Sequence, residues 1–294
     1  MSILKKLAGQ TVIYGASTIL SRLLNLVFTP LYTGIFSKAV YGIYTNLYAY
    51  VSFVNVILTF GMETTFFRFI QDSKDAQKVY NQAFFWVLSL SVLFGLLAWL
   101  LMPFLAAWMG YEGQESMILW LVGIIVLDVN AALPLAKLRH EERVIRFSAI
   151  LMTNVLVTIA ANLLFVWHLR LGIEYVFISN FIASVIRLGM ALWGNLPTSL
   201  RPEWSTLKGM LDYAFYIMLA GFAGIMNETL DRTMLPKRWE GTEPFLGEEL
   251  LAPLEMVGIY GANYKVAMLI ALATQAFRYA VEPFFFKDTK MLKT

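Results

Sequence analysis

The chain contains no cysteine and only two histidines, His140 and His168, among its 294 residues. The missing cysteines exclude disulfide frameworks, thiolate metal sites and cysteine nucleophiles together. The wide separation of the two histidines argues against a histidine-built metal site, and no cofactor is expected. Charge is scarce as well: Asp, Glu, Lys and Arg make up 15% of the chain, against 59% hydrophobic residues. Soluble globular chains run at about 25% charged and about 45–50% apolar. With a mean hydropathy of +0.64, a soluble enzyme and a disordered chain are both excluded. The net charge of +3 is small, and no nucleic-acid partner is expected. No glycine-rich nucleotide loop occurs, and no soluble segment is large enough to hydrolyse ATP. Energy for any transport would come from an ion gradient, the membrane potential or the substrate gradient.

What the chain has in abundance is long apolar runs. Eight are legible, at about 8–34, 41–68, 80–108, 115–137, 145–168, 173–195, 207–234 and 256–286. A spanning helix needs about 20 apolar residues; runs longer than that tilt or protrude from the bilayer. Polar or turn-forming breaks separate them, such as 71–75, 110–113, 139–143, 195–199 and the acidic stretch 240–249. The runs are continuous and not alternating, which excludes a β-barrel. The first is too long for the apolar core of a cleavable signal peptide. The expectation is an all-α polytopic membrane protein of eight transmembrane helices, with no enzymatic activity.

Basic residues orient it. With the amino terminus and every second loop inside, that side carries Lys5, Lys6, Arg68, Lys74, Lys78, Lys137, Arg139, Arg143, Arg146, Arg201, Lys208, Lys287, Lys290 and Lys293. The other side carries only Lys38, Arg170, Arg232, Lys237 and Arg238. The bias predicts both termini in the cytoplasm and a multi-pass protein of the inner (plasma) membrane.

Two segments about 216 residues apart look alike. Val40-Tyr41-Gly42-Ile43-Tyr44 precedes Tyr48, and Met256-Val257-Gly258-Ile259-Tyr260 precedes Tyr264 at the same offset. Farther on, Glu63 to Arg68 resembles Glu282 to Lys287. Six spans separate the copies, and an even number preserves direction, so a parallel repeat is expected, with a substrate path between the lobes.

The same residues resemble a known family. Gly42-Ile43-Tyr44, Gly61 to Arg68, Leu133 to Arg139, Asp231 to Leu235, Val257 to Tyr260 and Glu282 to Phe286 together resemble the polysaccharide biosynthesis flippases. These are the O-antigen and capsule repeat-unit flippases of the multidrug/oligosaccharidyl-lipid/polysaccharide exporter superfamily. The resemblance implies two six-helix lobes in a V around a central cavity. It implies alternating-access movement of a polyprenyl-diphosphate-linked oligosaccharide from the inner to the outer leaflet. Membrane lipids, a polysaccharide polymerase and glycosyltransferases are the implied partners. A cation-coupled multidrug exporter of the same superfamily is the alternative. On this plan residues 1–195 form a complete six-helix lobe, 196–206 a cytoplasmic linker and 207–294 two helices of a second lobe. Two full lobes would take roughly 430 residues, so a truncated form is expected, and an inactive fragment of a flippase is a further alternative.

Ionisable residues at bilayer depth are functional candidates. Arg22 lies about 14 residues into the first run, roughly 21 Å at 1.5 Å per residue, with Asn25 one turn on. Asp128 sits mid-run in the fourth span and Lys265 deep in the eighth. Arg22, Asn25 and Lys265 are assigned to the substrate diphosphate, because arginine offers bidentate geometry to phosphate. The match of Leu20-Ser21-Arg22 to the first-helix arginine of related lipid-linked precursor flippases adds to the case for Arg22. Other readings stand beside these: Arg22 pairs with a carboxylate such as Asp128, and Lys265 snorkels. Asp128 and Glu228 are candidates for ion coupling or ion pairing. Glu63 and Glu282, at equivalent repeat positions, read as structural latches with nearby cations such as Arg278. Asp231 and Arg232 form either a gate pair or a solvated helix end. Arg187 is read as snorkelling to headgroups, Trp86, Trp108, Trp120, Trp167 and Trp193 as an interfacial belt, and Pro30 as a hinge.

Overall fold

The computed structural model describes residues 26–73, 75–239, 252–267 and 270. No strand occurs among them. The helices are α1 (Leu26–Ile35), α2 (Lys38–Thr59), α3 (Met62–Asp72), α4 (Ala76–Leu100), α5 (Met102–Met109), α6 (Glu115–His140) and α7 (Val144–Asn162). A π-helical turn, Leu163–His168, prolongs α7; α8 (Glu174–Leu192), α9 (Trp204–Arg238) and α10 (253–267) follow. Six continuous stretches among the described residues are long and apolar enough to cross a membrane: α2 with α3, α4, α6, α7 with its π turn, α8 and α9. They coincide with the second to seventh runs of the sequence. The first and eighth runs are represented by α1 and α10, and their remainder lies outside the described residues.

Membrane character follows from where the apolar side chains go. Only 28% of the most apolar window of α4, and 11% of that of α9, is buried inside the protein. Val92, Leu93, Leu96, Leu97, Trp99, Leu100, Phe104 and Trp108 form a continuous exposed apolar face. Water would not tolerate such a face, whereas lipid tails cover it and the helices satisfy their own backbone. Trp167 and Trp193 are likewise exposed near span ends, as an interfacial belt requires.

Local sequence sets the breaks. Phe60 (φ 52°) and Gly61 (φ 65°) adopt the left-handed region and divide α2 from α3. A Cβ on Gly61 would lie 2.8 Å from the Ile217 side chain and 2.9 Å from the Ala214 carbonyl oxygen, so this kink also lets α9 approach. Asp75 caps α4, its Oδ1 accepting from the Lys78 amide at 3.1 Å. Pro103 stands in the first turn of α5, where a missing amide hydrogen costs nothing.

Two apolar cores hold the bundle. Tyr41, Tyr44, Leu47, Ile118, Leu121, Val176 and Phe177 join α2, α6 and α8 near one end. Met62, Phe66, Tyr80, Ala83, Val129, Leu133, Met210 and Ala214 join α3, α4, α6 and α9 near the other. Buried polar pairs link neighbours across them: Asn130 donates to Ser91 at 2.7 Å, and Tyr32 donates to Asn162 at 2.7 Å.

The two similar segments meet. A Cβ on Gly42 would overlap the carbonyl oxygen of Leu254, and one on Gly258 would overlap that of Lys38. Each clash is with the residue four before the other glycine, and each added Cβ would lie 3.2 Å from the opposite glycine nitrogen. Gly261 faces Thr45, its counterpart at the same spacing. Helices α2 and α10 therefore run parallel and cross about a local two-fold relation, with backbones touching because neither glycine carries a side chain.

Candidate functional site

The bundle has two ends. At one, α2 and α10 begin and cross, and α9 finishes; at the other, α3, α6 and α8 finish while α4, α7 and α9 begin. A polar cavity of about 400 Å³ lies toward this second end. Its walls carry Asn55 and Thr59 from α2, Glu63 from α3, Asp128 and Arg139 from α6, Phe147 from α7 and Arg187 from α8. Four of the lining residues, Asp128, Ala132, Leu135 and Arg139, recur at helical spacing on one stripe of α6.

Packing brings the charges together. α6 and α8 run side by side in the same direction; Trp120 donates to Glu174 at 3.2 Å, and Phe181 covers Gly123. That register sets Arg187 beside Asp128, with Nη2 2.7 Å from Oδ1 and 3.5 Å from the Asp128 carbonyl oxygen. The carboxylate contact is a charge contact without hydrogen-bond angles: Asp128 Oδ1 and Arg187 Nε are buried without a hydrogen-bond partner among the described residues. Glu63 meets Arg139 Nη2 across the α3–α6 contact. The Arg139 guanidinium also stands over the Phe67 and Phe147 rings, 5.2 and 5.8 Å from their centroids. The cavity thus holds two arginines and two carboxylates, each arginine meeting its carboxylate through one nitrogen.

A second cluster lies at the crossing end. Lys265, on α10, stands over the rings of Tyr44 and Tyr41, at 5.0 and 5.4 Å. Arg232 stacks on Tyr264 at 4.1 Å, and Asp231 accepts from the Tyr260 hydroxyl. Asn46 of α2 donates to the Arg232 carbonyl oxygen at 2.8 Å and accepts from Tyr111 at 2.7 Å. These contacts tie α9 and α10 to α2.

The expected site residues therefore separate. Glu63 and Asp128 line the cavity; Lys265, Asp231 and Arg232 lie at the crossing. Glu228 is exposed on α9, and its carbonyl oxygen accepts from Arg232 at 2.9 Å. Arg22, Asn25, Arg278 and Glu282 lie outside the described residues. Sequence reasoning missed Arg139, taken as a loop residue, and Arg187, taken as snorkelling. Arg139 carries a signal in the sequence, eleven residues after Asp128 and hence on the same helical face; Arg187 carries none, because its partner is on another helix.

Between α8 and α9, residues 195–203 are strapped to α4. Asn81 donates to Thr198 Oγ1 at 2.9 Å and accepts from its amide at 3.1 Å. Gln82 donates to the Arg201 carbonyl oxygen at 3.0 Å and accepts from the Glu203 amide at 2.8 Å. Hydrogen bonds from Lys78 and then Thr206 hold the Glu203 carboxyl below its ordinary value.

No curated protein sequence matches the chain. A solved structure named "protein A" superposes with a TM-score of 0.68 at 17% identity, covering 97% of this chain. The chain spans 65% of the length of that structure. At that identity the likeness speaks for the fold alone. A family model described as polysaccharide biosynthesis protein matches residues 7–287. With six membrane-crossing helical stretches and a match across nearly its whole length, the chain is a multi-pass membrane protein that belongs to the polysaccharide biosynthesis family.

Proposed function

We propose that this chain forms part or all of a flippase that moves a polyprenyl-diphosphate-linked oligosaccharide from the inner to the outer leaflet of the plasma membrane. The carrying observation is the arginine-bearing cavity toward one end of an apolar bundle whose other end holds the glycine crossing. Arg139 and Arg187 supply cations for a diphosphate, and Asn55 and Thr59 supply hydrogen-bonding groups for sugar hydroxyls. The lipid tail stays in the bilayer beside the exposed apolar faces.

Charge supports an orientation. Arg68, Lys78, Lys137, Arg139, Arg143, Arg146, Arg201 and Lys208 cluster at the cavity end, and the positive-inside bias favours that end as the cytoplasmic one. In this reading residues 1–195 are one lobe, 196–206 the linker and 207–294 the beginning of the second. The arrangement is then open to the inner leaflet, where the substrate is assembled, and alternating access closes the cavity end and parts the crossing.

A strain that depends on this protein for surface polysaccharide tests the reading. Arg187→Gln and Arg139→Gln abolish the polysaccharide while the protein stays in the membrane at normal amount. Undiminished polysaccharide in both variants refutes the role of the cavity, and drug resistance on expression points instead to an exporter.

A further inference from the structure

We infer that Asp128 and Glu63 are stand-in anions: each holds a cavity arginine in the resting protein and gives it up to a phosphate of the arriving diphosphate. The inference rests on the proposed function and adds to it how the empty site stays stable and why it selects two phosphates over one.

The first observation is charge balance. The cavity lining carries two guanidinium groups and two carboxylates, so the lining by itself is neutral. An unpaired arginine in a partly dewatered cavity of an apolar bundle is costly, and a carboxylate contact lowers that cost. The second observation is how incompletely the pairs are made. Each arginine meets its carboxylate through Nη2 alone. The Nε groups of Arg139 and Arg187 are buried with no hydrogen-bond partner among the described residues. A structural arginine–carboxylate pair normally uses the fork, two parallel hydrogen bonds; here each fork is only half made, and a phosphate that draws the guanidinium into the cavity gains the bond the carboxylate leaves unmade. The third is geometry. Each pair bridges two helices, Glu63 on α3 to Arg139 on α6 and Asp128 on α6 to Arg187 on α8, and all four groups border one cavity.

Exchange then proceeds without leaving a bare cation at any stage. One phosphate takes one fork as its carboxylate turns into the open cavity, and the second phosphate does the same at the other arginine. A ligand with one phosphate releases only one pair and faces the remaining carboxylate. Diphosphates are therefore preferred over monophosphates, and the carboxylates set that preference.

Isothermal titration of the purified full chain in detergent with inorganic pyrophosphate tests this, with inorganic phosphate alongside. Asp128→Asn and Glu63→Gln each tighten pyrophosphate binding about five-fold, the scale of a partly exposed ion pair. They also narrow the preference for pyrophosphate over phosphate. Arg187→Gln and Arg139→Gln abolish binding. The two carboxylates are at separate pairs, so either folded variant decides the matter; retention of the wild-type elution profile and unfolding temperature establishes folding. Weaker or unchanged pyrophosphate binding in a folded carboxylate variant, with wild-type binding intact, overturns the exchange and leaves the diphosphate site standing. Absence of pyrophosphate binding in the wild type and in every variant overturns both. A short-chain prenyl diphosphate that binds more tightly than pyrophosphate, with the same order of variants, supports the exchange with a lipid-borne group. A loss of that order with the prenyl compound overturns it.

Discussion

Asn130 of α6 shows what a single polar side chain does in this bundle. It donates to Ser91 of α4 and to the Val126 carbonyl oxygen, both at 2.7 Å, in a position 4% exposed. Interhelical hydrogen bonds in membrane proteins contribute about 0.6 kcal/mol on average and up to about 1.7. Asn130→Leu should therefore lower stability by about 1 kcal/mol, read by unfolding in detergent, and leave membrane insertion unchanged. Glu203 makes a prediction outside the membrane. Its carboxyl is held low by Lys78, so its folded-state value lies below its unfolded one. The stabilisation is present above the unfolded value of about 4.3 and is lost as pH falls through the folded one. A spin label at exposed Leu200 should gain mobility as pH drops below about 4, and Glu203→Gln should remove that pH step while showing the looser spectrum throughout.

At the scale of elements, the α2–α10 crossing depends on missing side chains. Gly42→Leu or Gly258→Leu cannot be accommodated by a rotamer change, because the obstacle in each case is backbone. Native cysteines are absent from the chain, so cross-links report cleanly. A Cβ on Gly261 lies 3.2 Å from Thr45 Cβ, close to the about 3.5–4.5 Å of a disulfide. Thr45→Cys with Gly261→Cys should cross-link on mild oxidation, and adding Gly42→Leu should abolish the link. No cross-link in the two-cysteine protein would contradict a parallel crossing. The spans themselves were legible in the sequence, because a continuous apolar run has one use in a chain so poor in charge. The breaks were less so. Gly61 reads as an ordinary glycine within one long run until α9 is seen against it, and the α4–α5 break at Leu101 lay inside the run 80–108.

The described residues carry more basic side chains at the cavity end than at the end of the glycine crossing. If the charged end is cytoplasmic, cysteines at Leu200 and at exposed Glu112 should react with a membrane-impermeant reagent from opposite faces: Leu200→Cys from inside and Glu112→Cys from outside. Labelling of both from one face would refute the topology. Under the proposed mechanism, the Thr45–Gly261 cross-link should stop polysaccharide export, and reduction should restore it. Depth along the chain groups Lys265 with diphosphate ligands, yet it stands on Tyr41 and Tyr44 at the crossing end. Asp128 was legible as an intramembrane acid, but its partner was not.

The sequence by itself determined the membrane-spanning helical class, the order of the spans, the family resemblance and the repeat. Each of these rests on composition or on spacing along one chain, which the bilayer's thickness and helical period translate directly into structure. Only the tertiary structure decided that Arg187 and Arg139 belong with Asp128 and Glu63, and that Gly42 and Gly258 touch. Pairing across helices depends on the register in which neighbours pack. That register is set by many small contacts, such as Phe181 on Gly123, whose partners lie far apart in sequence.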